Sequence, residues 1–128
     1  MVIDTSAIVA IALSEPEAES LEERIADAPV RLISAATVLE AAIVIEARLG
    51  APGGHELDLW LLKAGVETIA VDAEQADIAR RAWRRFGKGR HPAGLNFGDC
   101  FSYALSALTN EPLLFKGDDF SRTDIEAA

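Results

Sequence analysis

Four short apolar runs constrain what this chain can fold into. Met1–Ile3, Val30–Ile33, Val66–Val71 and Leu113–Phe115 each end in turn or capping residues, and the stretches between them carry helical periodicity. Runs of that length read as buried strands. Strands that alternate with helices imply a parallel sheet with helices on both faces. The expected fold is therefore α/β: a three-layer sandwich in which a short parallel sheet of about four strands is flanked by helices. At 128 residues the chain makes one domain, residues 1–128, with a modest core. Gly50-Ala51-Pro52-Gly53-Gly54 reads as a turn between helices and not as a linker, because both flanks are apolar and periodic.

Local signals place the elements more closely. Thr5 or Ser6 is expected to cap a helix starting at Ala7, and Ser14-Glu15-Pro16-Glu17 has capping-box spacing for a helix reaching about Asp27. That second helix turns Leu21 and Ile25 inward. Ser34 caps the next helix, whose stretch to Ile45 is almost wholly apolar and so reads as buried on nearly every face. His55 to Ala64 carries a stripe of Leu57, Trp60, Leu61 and Ala64. Asp72 and Gln75 repeat the capping spacing before a helix ending at Phe86, with Ala76, Ala79, Trp83 and Phe86 on one face. Asn96 to Asp99 opens the last helix. Its expected inward stripe is Phe97, Phe101, Ala104, Leu105 and Leu108, opposed by Asp99, Ser102, Tyr103 and Ser106. The tail from Ser121 to Ala128 is polar and weakly patterned.

Charge and cysteine usage narrow the function. The net charge of −9 argues against a simple nucleic-acid binder, yet six of the twelve Lys and Arg residues fall between Arg80 and Arg90. An acidic chain with one basic stripe holds a polyanion if metal ions neutralise some carboxylates; otherwise the stripe is a solvated helix face. A single cysteine, Cys100, permits no internal disulfide and fits a reducing cytoplasm, and its expected role is core packing. No apolar run is long enough to span a membrane, and the first residues lack the basic flank of a signal peptide. His91, with no second His at ligand spacing, reads as a loop residue near phosphate.

The chemistry lies in acids placed where acids are unusual. Asp4 follows the first strand directly, at the sheet edge where open α/β proteins keep their ligand crevice; the plainer reading, that it merely helps to cap the first helix, loses ground because three other acids stand in odd settings. Glu40 is the only charge in an apolar helix; it pairs with a cation such as Arg48 or Lys63, falls on a narrow wet edge, or faces a metal ion beside Asp4, and the last is the favoured reading. Asp99 sits at a helix start, and Asp118 and Asp119 follow the fourth strand. Parallel strands end together, so Asp4, Glu40, Asp99 and Asp118 are expected to converge. Such a cluster suits Mg2+, with Mn2+ able to substitute, and metal-activated water attacking phosphorus is the chemistry it serves.

Taken in order, Val2-Ile3-Asp4-Thr5-Ser6, Glu40 in the helix begun by Ser34, Leu95-Asn96-Phe97-Gly98-Asp99 and Leu113-Leu114-Phe115-Lys116-Gly117-Asp118-Asp119-Phe120 resemble the motifs of PIN-domain ribonucleases. The closest similarity is to the VapC toxins of type II toxin–antitoxin systems, and it covers essentially the whole chain. The resemblance implies a PIN-like sandwich and a Mg2+-dependent endoribonuclease that cuts structured RNA such as tRNA or rRNA. It also implies a homodimer and inhibition by a VapB-like antitoxin. On matching positions, Asp4, Glu40 and Asp99 are the metal-site acids, with Thr5, Ser6 and Asn96 in support. Asp118 takes the fourth acidic place and Asp119 braces the loop. Arg84, Lys88 and Arg90 are the expected RNA-binding cations.

Two other readings compete. A haloacid-dehalogenase-like phosphatase also begins with a strand-end Asp, but needs a second Asp two residues later, where Ser6 stands. A non-catalytic acidic interaction domain would have no use for Glu40 in an apolar helix.

Overall fold

The computed structural model describes all residues, 1–128. Strand β1 (Val2–Ile3) leads into α1 (Thr5–Ala12) and α2 (Ala18–Asp27). Then come β2 (Leu32–Ser34), the long α3 (Ala35–Lys63) and β3 (Glu67–Ile69). Helices α4 (Ala73–Phe86) and α5 (Phe97–Thr109) precede β4 (Leu113–Leu114), and a 3-10 turn spans Phe120–Arg122. All strand pairs are parallel, in the order β3-β2-β1-β4, with Val2 beside both Leu32 and Leu113. The chain builds outward from β1 to β3 and then returns to the other side of β1. The strand order therefore reverses between β1 and β4, and a crevice opens at the carboxyl ends there.

Alternation along the strands makes the three layers. Ile3, Ile33 and Leu114 pack with Ile8, Leu21, Ile25, Ile45 and Leu61 from α1, α2 and α3. Their neighbours Val2, Leu32 and Leu113 pack on the other face with Ala79, Phe86, Leu95, Tyr103 and Leu105. Successive side chains on a strand point to opposite faces, so two or three apolar residues in a row supply both cores. The expected sandwich and its four parallel strands are what the structure contains.

Several local expectations fail, each for a visible reason. Asp4, not Thr5 or Ser6, caps α1, and the helix begins at Thr5. The Ser14 capping box does not form: Ser14 is left-handed at φ 52°, and Glu15 N–H donates to Ala10 at 2.9 Å, closing α1. Glu17 precedes α2 with no side-chain cap. The break at Gly50–Gly54 shrinks to one residue, Gly50 at φ 71°, after which α3 resumes. Pro52 sits in the first turn of the resumed helix, where its missing N–H costs nothing. A Cβ on Gly53 would come within 2.7 Å of Leu49 Cβ, so glycine lets the two halves fold tightly together.

The helix faces are also rotated from expectation. In α4 the buried residues are Gln75, Ala79, Ala82 and Phe86, while Ala76 is exposed and Trp83 is 41% exposed. In α3, Leu39 and Ile43 face outward. In α5 the polar residues Ser102, Tyr103 and Ser106 are buried and Phe97 is 81% exposed. The tail is less loose than its sequence: Leu113 N–H donates to Glu126 and Ala128 N–H donates to Leu113, both at 2.9 Å, placing it along β4. No helix is long and apolar enough to cross a membrane.

Candidate active site

Asp4 is fixed by the sheet before any ligand arrives. Its N–H donates to Leu114 O at 2.9 Å, continuing the β1–β4 ladder one residue past the strand. The side chain is 2% exposed and accepts three hydrogen bonds. Ser6 N–H and Ser6 Oγ donate to Oδ2 at 2.9 and 2.7 Å, and Ser102 Oγ donates to Oδ1 at 2.5 Å. Ser6 Oγ also accepts from Lys116 N–H at 2.9 Å, so one hydroxyl ties Asp4 to the loop after β4. Asp4 thus caps α1 while its carboxylate lies at the crevice end of β1.

Glu40 reaches the same crevice from α3. Thr5 Oγ1 donates to its Oε1, joining the residue after Asp4 to the acid. On its far side lies the first turn of α5: a Cβ on Gly98 would stand 1.9 Å from Glu40 Oε2. Only glycine leaves room for that carboxylate. Glu40 pairs with no cation, neither Arg48 nor Lys63.

Asp99 follows Gly98 and is held by a reciprocal cap. Asn96 Oδ1 accepts from Asp99 N–H at 2.9 Å, and Asp99 Oδ2 accepts from Asn96 N–H at 3.0 Å. One lobe of the carboxylate is left for a ligand. Burial, with the charges of Asp4, Asp119 and Glu40 adding to it, pushes Asp99 up to about 6 despite the Asn96 bond. Three other parts of the chain therefore act electrostatically on Asp99. Asp118 and Asp119 are both exposed, and of the two it is Asp119 whose charge bears on Asp99. Asp118 accepts from Ser121 Oγ through its backbone carbonyl at 2.6 Å.

The donors are all hard carboxylate oxygens, the set that suits Mg2+ or Mn2+. No three of them close on one point tightly enough to hold an ion as they stand. The raised proton affinity of Asp99 reflects burial first and the like charge of its neighbours second.

Two contributors escaped the sequence reading. Ser102 falls by periodicity on an outward polar stripe, yet its Oγ makes the shortest of the three hydrogen bonds to Asp4, at 2.5 Å. Gly98 signalled nothing by itself; its meaning appears only with Glu40 opposite. The other expected residues fall as follows. Cys100 is buried, its Sγ donates to Asn96 O at 3.2 Å, and burial, with the Asp99 charge beside it, pushes the thiol up to about 11, in keeping with a packing role. His91 Nδ1 accepts from Ala93 N–H at 3.0 Å and braces its loop. Arg84, Lys88 and Arg90 are exposed and outside the acidic crevice, Arg90 lying over the Trp83 ring at 4.3 Å.

Comparison with known proteins agrees with this architecture. The PIN domain family matches residues 1–126, and the chain belongs to that family. A ribonuclease VapC from Mycolicibacterium smegmatis is 65% identical over 99% of this chain and 98% of its own. Ribonuclease VapC30 from Mycobacterium tuberculosis is 60% identical over 98% of this chain and 95% of its own. Within the PIN-domain family, the chain stands among the VapC ribonucleases. The crystal structure of Mycobacterium tuberculosis VapC20, a toxin that cleaves the sarcin–ricin loop, shares the fold with a TM-score of 0.78. The two are 21% identical, over 99% of this chain and 97% of that one.

Proposed function

We propose that this chain is the Mg2+-dependent endoribonuclease toxin of a toxin–antitoxin module and cuts structured RNA, tRNA or rRNA. The observation that carries the reading is geometric: Asp4, Glu40 and Asp99 meet at one crevice, Thr5 Oγ1 tying Glu40 to the residue after Asp4 and Gly98 seating Glu40 against the turn that carries Asp99. Asp4, Glu40 and Asp99 would hold the ion, with one acid of the loop after β4. Asp119 is the better supported of that pair, because its charge reaches Asp99. When bound, the ion supplies an activated water and neutralises charge on the phosphodiester.

The chain's own residues do the rest. Ser6 and Ser102 lock both oxygens of Asp4, so it enters the reaction without a rotamer to freeze. Thr5 orients Glu40, and Gly98 leaves space for it against α5. Asn96 holds one oxygen of Asp99 and leaves the other free. The crevice also suits a VapB-like antitoxin, since an arginine pairs bidentately with carboxylates and competes with metal. A homodimer fits the exposed leucine and isoleucine of α3.

Incubating total tRNA and rRNA with the purified chain, with Mg2+ or with chelator, tests the reading. Asp99→Asn keeps the acceptor for Asn96 N–H and removes the charge, so it should stay folded and lose cleavage by several orders of magnitude. Asp119→Asn should lose more than Asp118→Asn. Near-wild-type cleavage by Asp99→Asn would remove the metal-nuclease assignment.

A further inference from the structure

Beside the acidic crevice, on the flank of α5 turned toward α4, lies a groove of about 370 Å3 lined by Ala79, Arg80, Trp83, Phe97, Cys100 and Phe101. Aromatic rings dominate it. Phe97 is 81% exposed and Trp83 41%, although both are large apolar side chains. Phe97 and Phe101 meet edge to face at 4.9 Å, so the exposed ring is held upright by a neighbour. The charge around the groove differs from the rest of this acidic chain. Of the six cations between Arg80 and Arg90, Arg81 pairs with Asp77 and Arg85 with Asp124. Arg80, Arg84, Lys88 and Arg90 pair with no acid. Arg80 and Arg84 are one helical turn apart and flank Trp83, and Arg90 lies over the Trp83 ring at 4.3 Å.

We propose that this groove is a nucleobase subsite: an unpaired base of the RNA strand stacks on Phe97 and Trp83 while Arg80, Arg84, Lys88 and Arg90 take the neighbouring phosphates. Flat exposed rings interleaved with unpaired cations are what single-stranded nucleic acid recognises, because every base offers a π-face and every linkage a charge. Phe97 and Asp99 stand two residues apart on α5, about 200° around it, so their side chains lie on opposite flanks of one helix. The base in the groove is therefore not the one at the scissile phosphate but a neighbour along the strand, about a helix diameter (~10 Å) away. The subsite would require an unpaired base next to the cut, which selects loops within structured RNA. The inference deepens the ribonuclease reading and rests on it for the identity of the ligand.

Binding is measured apart from cleavage. The wild-type chain in chelator is titrated into labelled A-tract RNA of about 12 nucleotides, within the usual single-strand site sizes. It is also titrated into an abasic ribose–phosphate strand of the same length and charge. The A-tract should bind about 5- to 150-fold more tightly, the range for stacking one base. Phe97→Ala should bring that ratio close to one, and Phe97→Trp should restore it. Arg80→Ala with Arg84→Ala should weaken both strands alike and reduce the salt slope by about 0.7 per lost contact. Equal binding of the two strands by wild type overturns the subsite. So does a Phe97→Ala variant that keeps the ratio but changes from dimer to monomer, since a second copy then covers the groove. A parallel digestion with Mg2+ separates the two readings. Cleavage with a ratio of one removes only the subsite; a high ratio without cleavage removes only the ribonuclease.

Discussion

Helices α3 and α5 cross at the candidate site, and each contradicts its own polarity. Helix α3 has a nearly continuous apolar sequence from Ala35 to Ile45, yet Leu39 is 63% exposed and Ile43 is 60% exposed. Helix α5 buries Ser102, Tyr103 and Ser106. The difference lies in partners. Ser102 meets Asp4, Tyr103 Oη donates to Asp124 at 2.6 Å, and Ser106 Oγ donates to Glu111 O at 2.6 Å. A buried hydroxyl with a partner costs little, and one without costs about 1–3 kcal/mol. Burial in this chain follows where hydrogen-bond partners wait, not side-chain polarity alone. The two helices touch through Glu40 against Gly98 and through Thr37 Oγ1 with Ser102 Oγ at 3.3 Å, so the acidic site is their shared surface.

The largest effect expected from this junction is electrostatic. Asp99 holds its proton up to about 6 in the folded chain, against about 3.9 unfolded. The folded state then binds more protons across that window, so the Asp99 contribution to stability is present below about pH 4. It is lost as pH rises through 6 and is constant above. At about 1.4 kcal/mol per pKa unit, the metal-free protein loses up to about 3 kcal/mol this way. Thermal melts in chelator should show Asp99→Asn gaining on wild type from pH 4.5 to 7, with the gain abolished by saturating Mn2+. A gap that does not change with pH would mean that burial and the neighbouring acids do not raise Asp99.

Next comes the contact itself. Gly98→Ala puts a methyl group where Glu40 Oε2 lies, and the carboxylate must swing off Thr5. Displacing a catalytic group by about 1 Å costs on the order of 100-fold in rate. Cleavage should fall by that factor with the melting temperature nearly unchanged, because alanine favours the helix. Undiminished cleavage would show that Glu40 has another productive rotamer.

These residues also mark how far the sequence could be read. The sandwich was legible because strand runs of two or three apolar residues alternate with helices, and both cores use that alternation. Ser34 at the start of α3 and Asp72 at that of α4 were legible because capping is local: donor and acceptor lie within three residues. Ser14 carried the same signal and misled, because the hydrogen bond that ends α1 claimed its backbone. The inverted face of α5 was not legible. Its partners, Asp4, Glu111 and Asp124, are supplied by other elements, and periodicity records only polarity. Asp4, Glu40 and Asp99 stood out because a charge in an apolar setting is conspicuous even when its partners are unknown. The choice between Asp118 and Asp119 depends on a loop conformation that two adjacent identical residues do not encode.

Ser102→Ala tests the polar side of the comparison alone. It removes the donor to Asp4 Oδ1 and the contact of Thr37 Oγ1, both fully enclosed. The expected loss is about 1–2 kcal/mol, inside the range for an orphaned buried acceptor. Ser102→Thr, which keeps the hydroxyl, should recover part of it. Equal stability for alanine and serine at this position would mean that water replaces the hydroxyl.

The smallest effect is expected on the apolar side. Leu39→Ser on α3 removes a side chain that is mostly in water already, so unfolding free energy should move by no more than about 0.5 kcal/mol. A helix interior charges only a few tenths of a kcal/mol for serine against leucine. The polar Ser102 should therefore matter more to folding than the apolar Leu39, the reverse of what the sequence alone suggests. Chemical denaturation of both variants at two protein concentrations decides it. If Leu39→Ser costs more than Ser102→Ala, and the wild-type midpoint rises with concentration, a second copy covers the outer face of α3. The apolar run would then be buried after all, across an interface and not within the chain.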